Sequence, residues 1–332
     1  MSNPSLDPVG GSAEEILGLL REWDAADDPP PLSVETSGST GRAKRVVLSR
    51  AAMRASADAT HARLGGPGQW LLVLPPTYVA GLQVLFRSVR AGTEPVTTAA
   101  DLTGQRCYVS LVPTQLGRLP PGELRRFDAV LVGGAAIDPA LLARAREAGV
   151  AVVTTYGMTE TAGGCVYDGI PLDGVGVRVT EGIELAGPML ALGYRLDPQA
   201  TEAAFADGWF ATRDAGALDA DGRLTVHGRL DDVVISGGVN VAPQAVEAVL
   251  REHPDVADAV VFGRPDDEWG QRVVAAVVPA PGAVPVLPTL RDWVIERLGA
   301  PSAPRELHVV ATVPLLHTGK PDRRAVAGAV LG

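Results

Sequence analysis

The sequence is poor in the residues that build disulfide frameworks and metal clusters. Its two cysteines, Cys107 and Cys165, lie far apart and fit neither a CxxC pair nor the spacing of a zinc site. No apolar run approaches the length needed to cross a bilayer. Residues 1–11 also lack the basic and then apolar pattern of a signal peptide. These absences predict a protein of the reducing cytoplasm without membrane insertion.

Basic residues are also in the minority, with 29 Lys and Arg against 39 Asp and Glu and a formal net charge of -10. This balance argues against a nucleic-acid partner, although a local cluster of donors can bind phosphate on an acidic protein. The 332 residues, 46% of them hydrophobic, can bury one large core or two smaller ones. The length favours about two domains.

One short stretch, residues 35–44, concentrates hydroxyls, glycines and positive charge. Its glycines let the backbone turn tightly and approach a ligand, and its hydroxyls can donate to phosphate oxygens. The spacing does not match the G-x-x-x-x-G-K-[ST] loop, so a P-loop NTPase is not implied. Taken alone, the stretch is as well explained by a surface linker. The strand-like run at residues 45–48 predicts a loop within a β-hairpin.

The surrounding chain predicts an α/β core with a largely parallel sheet. A capping box at residues 12–15 predicts a first amphipathic helix. Apolar strands then alternate with helices, a pattern typical of sheets that bind ligands at the carboxyl ends of their strands. The predicted strands are residues 70–74, 107–112, 129–132 and 150–155, and the predicted helices are residues 49–64, 78–89 and 139–148.

The second half of the sequence predicts an antiparallel subregion and then a compact α/β segment. Short strands are predicted at residues 175–179, 183–186 and 224–227, helices at 243–251 and 288–298, and further strands at 257–262 and 272–278. A change in composition at residues 228–232 predicts the boundary between a core domain, 1–228, and a small C-terminal domain, 229–332.

Five ordered motifs resemble signatures of the adenylate-forming superfamily, which includes acyl-CoA synthetases, luciferases and adenylation domains. They are Thr36-Ser37-Gly38-Ser39-Thr40-Gly41 with Lys44, Tyr156-Gly157-Met158-Thr159-Glu160, and residues 208–214, 228–232 and 315–323. The last departs from the family's Thr-x-x-Gly-Lys ending, because its threonine directly precedes the glycine. The resemblance covers nearly the whole chain. It implies an α/β fold with a large N-terminal adenylate-forming domain, shortened at its N-terminus, and a small mobile α+β C-terminal domain.

The resemblance implies that ATP activates a carboxylic acid as an acyl-adenylate, with Mg²⁺ as cofactor and CoA as co-substrate. A carboxylate is a poor nucleophile towards an anionic triphosphate, so the enzyme must neutralise phosphate charge and align both groups. By resemblance, Glu160 holds Mg²⁺, a cation that prefers oxygen ligands, and Thr159 contacts the α-phosphate. The residues assigned to the β- and γ-phosphates are Thr36, Ser37, Gly38, Ser39, Thr40, Gly41 and Lys44.

Other motif positions are assigned to the nucleoside and to the two half-reactions. Asp214 would accept from the ribose hydroxyls with Arg229 beside it, and Lys320 would stabilise charge in adenylation. Asp231 matches the family's hinge position. The residues expected near adenine are Tyr156, Gly157, Gly133, Gly134 and Ala135, and those beside the pantetheine tunnel are Gly237 and Gly238. Each of these residues, considered alone, is an ordinary turn or surface residue.

The length before Thr36 and the segments 74–82 and 109–116 look most like the o-succinylbenzoate:CoA ligases of menaquinone biosynthesis in actinobacteria. Such a substrate carries a second carboxylate, which calls for a cation in an apolar pocket. Arg87 is the candidate, with a solvated helix face as the alternative. Tyr78 stands in the same pocket where many relatives carry His, and Asn240 stands where several carry Arg.

Two alternative functions remain. One is a ligase for another aryl or fatty acid, with CoA or a carrier protein as acceptor. The other is a catalytically silent nucleotide binder that retains the fold, which the presence of Lys44, Glu160, Asp214, Arg229 and Lys320 disfavours. The expected partners are therefore a small carboxylic acid, ATP and CoA, and a homo-oligomer is left open.

Overall fold

The computed structural model describes residues 8–36, 44–104, 106–315 and 321–331. The chain divides into two compact units. The first contains the described residues up to Ile137, with Leu141–Thr212 and Leu218–Thr225; the second contains Asp138–Ala140, Arg213–Ala217 and the described residues from Val226 onwards. The domain boundary at residues 228–232 stays a prediction. Within the described ranges, every helix is too short or too polar to span a membrane.

The helices up to residue 204 are α1 (Ala13–Ala25), α2 (Arg50–Arg63), α3 (Val79–Ala91), α4 (Pro113–Arg118), α5 (Pro121–Leu124), α6 (Pro139–Glu147) and α7 (Pro198–Ala204). The strands up to residue 211 are β1 (Leu32–Glu35), β2 (Arg45–Leu48), β3 (Gln69–Leu71), β4 (Cys107–Leu111), β5 (Ala129–Val132), β6 (Val152–Met158), β7 (Gly163–Tyr167), β8 (Ile170–Pro171), β9 (Gly176–Val179), β10 (Ile183–Ala186), β11 (Gly193–Tyr194), β12 (Phe205–Ala206) and β13 (Trp209–Ala211).

The later strands are β14 (Asp214–Leu218), β15 (Leu224–Arg229), β16 (Val234–Ser236), β17 (Val239–Val241), β18 (Val256–Asp266), β19 (Gly270–Pro279) and β20 (Glu306–Val309). The later helices are α8 (Pro243–Arg251), α9 (Leu287–Leu298) and α10 (Arg323–Leu331). Short 3₁₀ turns lie at Ala99–Asp101, Thr159–Thr161, Leu230–Asp232 and Ala300–Ser302.

The predicted capping box starts α1. Ser12 accepts a hydrogen bond at its side-chain oxygen from the Glu15 amide, and the Ser12 amide donates back to the Glu15 carboxylate at 2.7 Å. These bonds satisfy amides that have no partner within the helix. The apolar face of the helix buries Ile16, Leu20 and Trp23 in the main core of the first unit.

A six-stranded sheet, β3-β4-β5-β6-β7-β8, forms the centre of the first unit. Strands β3 to β6 are parallel, as predicted, and β7 and β8 continue the sheet in the antiparallel sense. Every residue of β5 is buried, as expected for a parallel strand covered on both faces. Strand β3 ends at Leu71 rather than at residue 74, because the Leu72 amide pairs with the Val96 carbonyl outside the sheet strands.

The prediction that the last parallel strand ends at residue 155 is wrong, because β6 runs to Met158. The extra residues are held in the sheet by β7, which turns back and pairs Tyr156 with Val166 and Met158 with Gly163. Gly157 permits this close pairing, since a Cβ there would lie 2.2 Å from the Gly163 carbonyl oxygen. The turn that follows the sheet is therefore Thr159–Thr161.

Two smaller antiparallel sheets complete the first unit. Strands β1 and β2 form the predicted hairpin, and β11 adds to β2 with Tyr194 opposite Val46. The second sheet, in the order β12-β13-β10-β9, confirms the antiparallel subregion. Strands β14 and β15 pair with each other.

The second unit is built on β17-β16-β19-β18, with β20 parallel to β19. Helix α8 has the predicted bounds, whereas β18 and β19 are both longer than predicted. Val246 and Leu250 of α8 pack with Leu290 of α9 against the buried valines of the sheet. This core is separate from the cores of the first unit.

Candidate active site

The strands of the hairpin hold the two ends of the predicted phosphate loop together. The Thr36 amide donates to the Lys44 carbonyl at 2.8 Å, and the Lys44 amide donates to the Thr36 hydroxyl at 3.1 Å. Thr36 and Lys44 therefore extend the pairing of β1 with β2 by one position. The remaining predicted loop residues, Ser37, Gly38, Ser39, Thr40 and Gly41, lie outside the described residues.

Glu160 lies in the 3₁₀ turn at the end of β6. It is buried together with its neighbour Thr159, and its backbone carbonyl accepts a hydrogen bond from the Ala191 amide at 2.9 Å. The Thr161 hydroxyl accepts from the Met158 amide and donates to the Gly163 carbonyl, which fixes the turn. The turn therefore presents a carboxylate next to a threonine at the carboxyl end of a strand.

The structure brings Glu160 and Lys44 together through a third residue, Tyr194. The Tyr194 hydroxyl donates to Glu160 Oε1 at 2.9 Å, and Lys44 Nζ lies 4.2 Å from the centre of the Tyr194 ring. An ammonium group over an aromatic face at this distance is a favourable cation–π contact. The lysine and the carboxylate, predicted from separate motifs, thus share one tyrosine.

A magnesium ion brought in with ATP fits this arrangement better than a resident metal cage does. Mg²⁺ is usually held through one or two carboxylates together with the phosphates of its nucleotide. Among the described residues, no group of three or more His, Cys, Asp or Glu side chains is arranged to hold a metal. Glu160, with one oxygen bonded to Tyr194, is the type of ligand that a metal–nucleotide complex requires.

The predicted adenine residues lie at the ends of the neighbouring parallel strands β5 and β6. Gly133 follows β5, and a Cβ at Gly133 would lie 2.2 Å from the Thr155 hydroxyl of β6. Gly134 has a φ of +80°, which glycine adopts readily. Gly133 therefore lies close to β6, the strand that carries Tyr156, and Gly134 and Ala135 follow it in the chain. Their contact with a base stays a prediction.

Arg87 is buried, contrary to the alternative of a solvated helix face, with 3% of its surface exposed. Its Nη2 donates to the Tyr167 hydroxyl at 3.4 Å, and its guanidinium lies 5.0 Å from the Trp70 ring. Among the described residues, no carboxylate lies within ion-pair distance of it. Burial lowers the pKa of Arg87, since a guanidinium is charged and loses solvation.

The Arg87 guanidinium lies close to the chain that follows Glu160. A Cβ at Gly163 would be 4.0 Å from Arg87 Nη2, and Gln83, on the same helix, donates to the Ala162 carbonyl at 2.7 Å. Ser56 of α2 donates to the same carbonyl at 2.9 Å. The predicted acid-binding cation and the predicted metal ligand thus lie on connected elements of one unit.

His61 packs in the same region and is held neutral. Burial is the main reason that the pKa of His61 falls to about 4, and the positive charge of Arg87 lowers it further. Asp58 acts in the opposite direction. The histidine therefore adds no positive charge beside Arg87 near neutral pH. Tyr78, the other predicted acid-pocket residue, occupies the N-cap position of α3.

A charged cluster in the second unit contains three of the predicted site residues. Arg229 contacts Asp214 at 3.4 Å and Asp231 at 3.3 Å. Arg213 donates from Nε to both Asp231 oxygens at 2.7 Å. Hydrogen bonds from Arg213 are the main cause of the lowered pKa of Asp231. The predicted ribose acceptor and the predicted hinge residue are thus joined by one arginine.

Gly237 and Gly238 form the turn between β16 and β17. Both have positive φ, at 60° and 78°, as the two central residues of a type I′ hairpin turn require. A Cβ at Gly237 would also lie 2.8 Å from the Trp269 ring. The turn geometry therefore explains why both residues are glycines, and their contact with pantetheine stays a prediction.

Lys320 lies outside the described residues, but the chain on either side of it is described. Leu315 and Pro321 pair as an antiparallel bridge, and the Asp322 amide donates to the Pro314 carbonyl at 2.9 Å. Arg323 then donates to both oxygens of the buried Glu247 at 2.7 and 2.8 Å. These bonds therefore hold residues 314–315 and 321–323 in place.

The predicted site residues do not include Tyr194, Tyr167 or Trp70. Each contacts a predicted residue from a distant part of the chain, and no local spacing marks such a contact. A local feature that could have pointed to Tyr194 is the glycine before it, Gly193. Its φ is +134°, and a Cβ there would lie 2.3 Å from Thr201, so only glycine fits.

Comparison with known proteins identifies the family that the sequence motifs resemble. A family described as AMP-binding enzyme matches residues 35–185, and one described as AMP-binding enzyme C-terminal domain matches residues 245–320. A probable 2-succinylbenzoate–CoA ligase of Mycobacterium tuberculosis (strain H37Rv) is 47% identical over 98% of this chain and 91% of the relative.

Two solved structures of the o-succinylbenzoate CoA synthetase (MenE) from Bacillus subtilis have a similar fold. The complex with the acyl-adenylate intermediate has a TM-score of 0.79 and 30% identity, over 89% of this chain and 68% of that one. The complex with ATP and a magnesium ion has a TM-score of 0.77 and 30% identity, over 88% and 69%. The predicted two-domain adenylate-forming fold is confirmed by these matches.

Proposed function

This chain belongs to the family of AMP-binding enzymes, and we propose that it joins o-succinylbenzoate to CoA at the expense of ATP. A carboxylate oxygen of the acid attacks the α-phosphorus, the bond to pyrophosphate breaks, and an acyl-adenylate forms. The sulfur of CoA then attacks the acyl carbon, and AMP leaves as the thioester forms. The product has the chemistry expected of an intermediate in menaquinone biosynthesis.

The first unit supplies the groups that bind the triphosphate. Lys44 and Thr36, with the hydroxyls between them, hold the β- and γ-phosphates, and Thr159 contacts the α-phosphate. Glu160 holds the magnesium ion, whose charge offsets that of the phosphate oxygens when it is bound. Burial of Glu160 supports this role, because a carboxylate withdrawn from water interacts more strongly with a cation.

The nucleoside and the two half-reactions are assigned to the other predicted residues. Asp214, beside Arg229, accepts from the ribose hydroxyls, and Tyr156 lies near the adenine with Gly157 and the run from Gly133 to Ala135. Lys320 stabilises negative charge during adenylation. In this proposal Asp231 then absorbs the rotation that replaces Lys320 by Gly237 and Gly238 for thioester formation.

In this proposal Arg87 determines which acid is bound. A buried guanidinium without a carboxylate partner in the described part of the chain is costly, because the Tyr167 hydroxyl and the Trp70 ring replace only part of its lost solvation. In this proposal the second carboxylate of o-succinylbenzoate provides that partner, while Tyr167 and Trp70 contact the guanidinium from the protein side. An acid without a second carboxylate would leave the charge uncompensated.

The proposal extends to a cytoplasmic setting, where ATP and CoA are supplied. It does not depend on the homo-oligomer that the sequence allows. Binding of CoA itself, in place of a carrier protein, is included in the proposal because the relative of highest identity quoted above is named a CoA ligase.

The direct test is pyrophosphate release that depends on o-succinylbenzoate, with ATP, Mg²⁺ and CoA present and the thioester identified by its mass. We expect turnover that is lost in Lys320→Ala, since that variant lacks the charge assigned to adenylation. Release with other aryl or fatty acids but not with this one would reject the substrate. Nucleotide binding without turnover of any acid would instead favour a silent binder.

A further inference from the structure

Tyr194 touches two of the charged groups that the proposed reaction uses in the first unit, Glu160 and Lys44. Its hydroxyl donates to Glu160 Oε1 at 2.9 Å, and its ring lies under Lys44 Nζ at 4.2 Å. Both Tyr194 and Glu160 are buried, with 9% of each residue exposed. A hydrogen bond between two such groups is shielded from competing water, so it can fix the orientation of the carboxylate.

The position of Tyr194 is itself fixed by the fold. Strand β11 places Tyr194 opposite Val46, in the strand that begins next to Lys44. The Tyr194 amide donates to the Thr201 hydroxyl at 2.9 Å, and its ring meets Phe205 edge-on at 5.9 Å. The same short segment holds the Glu160 backbone through Ala191. Glu160 is therefore restrained at both its main chain and its side chain.

The chemical character of the donor matters for a metal ligand. An arginine or lysine bonded to Glu160 would neutralise the carboxylate and compete with a cation. A tyrosine hydroxyl donates without adding charge, and a carboxylate has a second oxygen to offer. Partners of this kind orient metal ligands in many sites, and their loss weakens metal binding about 10-fold or more.

We infer that Tyr194 is a positioning residue for the metal–nucleotide site, acting through the orientation of Glu160. The inference rests on the proposed function only where that function uses a magnesium–nucleotide complex. It assigns the hydroxyl to metal affinity and leaves the ring, on which Lys44 lies, to the packing of the phosphate-binding lysine.

The test measures metal binding without turnover. Mn²⁺ binding is followed by electron paramagnetic resonance with a non-hydrolysable ATP analogue and no acid or CoA. We expect Tyr194→Phe to bind Mn²⁺ about 10-fold more weakly than the wild type. The matched control is Tyr108→Phe, whose buried hydroxyl bonds only to the Leu64 and Gly66 carbonyls within the described structure and should leave the affinity unchanged.

Two further measurements separate positioning from a general loss of structure. Affinity for the analogue without metal should be unchanged in Tyr194→Phe, because the ring under Lys44 is kept. In Glu160→Gln, adding Tyr194→Phe should cost little more, since both changes act on one interaction. Unchanged Mn²⁺ affinity in Tyr194→Phe, an equal loss without metal, or additive losses in the double variant would overturn the inference.

The outcome is independent of the acid substrate. A wild type that binds Mn²⁺ with the analogue but makes no thioester from o-succinylbenzoate would reject the proposed function and leave this inference standing. Normal thioester formation by the wild type, together with unaltered metal binding in Tyr194→Phe, would reject this inference and leave the proposed function standing.

Discussion

Arg87 is buried and Arg323 is half-buried, and the two differ in the groups that contact their charge. Arg323, in the second unit, donates to both oxygens of Glu247 and lies 3.7 Å from Asp232. Arg87, in the first unit, has a tyrosine hydroxyl and a tryptophan ring within reach but no carboxylate among the described residues. The protein provides carboxylate partners for Arg323, which stabilises the structure. Among the described residues it provides none for Arg87, where we expect the ligand to bring the carboxylate.

The largest effect on stability is expected from replacing Arg323, the arginine that has a carboxylate partner. Arg323→Met leaves Glu247 buried without its main counter-charge, and loss of one partner of a buried pair costs about 3 kcal/mol in the free energy of unfolding. Urea denaturation measures this loss. The matched control is Arg21→Met, which breaks an exposed pair with Glu94 and should cost less than about 1 kcal/mol. Equal losses in the two variants would remove the distinction between them.

The opposite result is expected for Arg87→Met. Methionine fills a similar volume without a charge to desolvate, so the free energy of unfolding should stay the same or rise by about 1 kcal/mol. The Tyr167 hydroxyl keeps its contact with Thr60 at 3.0 Å. Urea denaturation beside Arg323→Met tests the comparison. A loss as large as that of Arg323→Met would make Arg87 a structural residue and leave the acid without its binding group.

The pH dependence of stability offers a smaller test of the same region. His61 has a folded pKa of about 4 against 6.5 in the unfolded chain, so the unfolded state binds more protons between these values. The contribution of His61 is present above pH 6.5 and is lost as the pH falls towards 4, with a slope of up to about 1.4 kcal/mol per pH unit.

The pH effect should depend on Arg87. Because the Arg87 charge lowers the pKa of His61, Arg87→Met should flatten the slope of stability against pH, while His61→Asn should remove this contribution. Urea denaturation from pH 7 down to pH 5 measures both slopes. An unchanged slope in His61→Asn would contradict the assignment of the titration to this residue.

Local patterns in the sequence were sufficient for many of the elements around the site. The capping box at Ser12, the hairpin on either side of the phosphate loop and the bounds of α8 all follow from spacing and turn chemistry. The parallel order of β3 to β6 followed from the alternation of apolar strands with helices. These features depend on neighbouring residues, which a single sequence displays directly.

Features that depend on distant partners could not be predicted in the same way. Strand β6 continues to Met158 because β7 returns to pair with it, and the glycines that allow this look like ordinary turn residues. Tyr194 reaches Glu160 from another sheet. Arg87 was identified as a candidate from the chemistry of the acid, but its burial depends on helix packing that its own sequence neighbours leave open.

The central claim is that Arg87 receives the second carboxylate of o-succinylbenzoate, and the KM values of Arg87→Ala test it most directly. A buried charge-assisted contact is worth about 2 kcal/mol, so the KM for o-succinylbenzoate should rise about 30-fold while the KM for ATP stays near its wild-type value. Arg90→Ala, on the same helix but paired with the partly exposed Asp58, is the control and should change neither KM. Equal rises in the KM of the acid and of ATP in Arg87→Ala would contradict the claim.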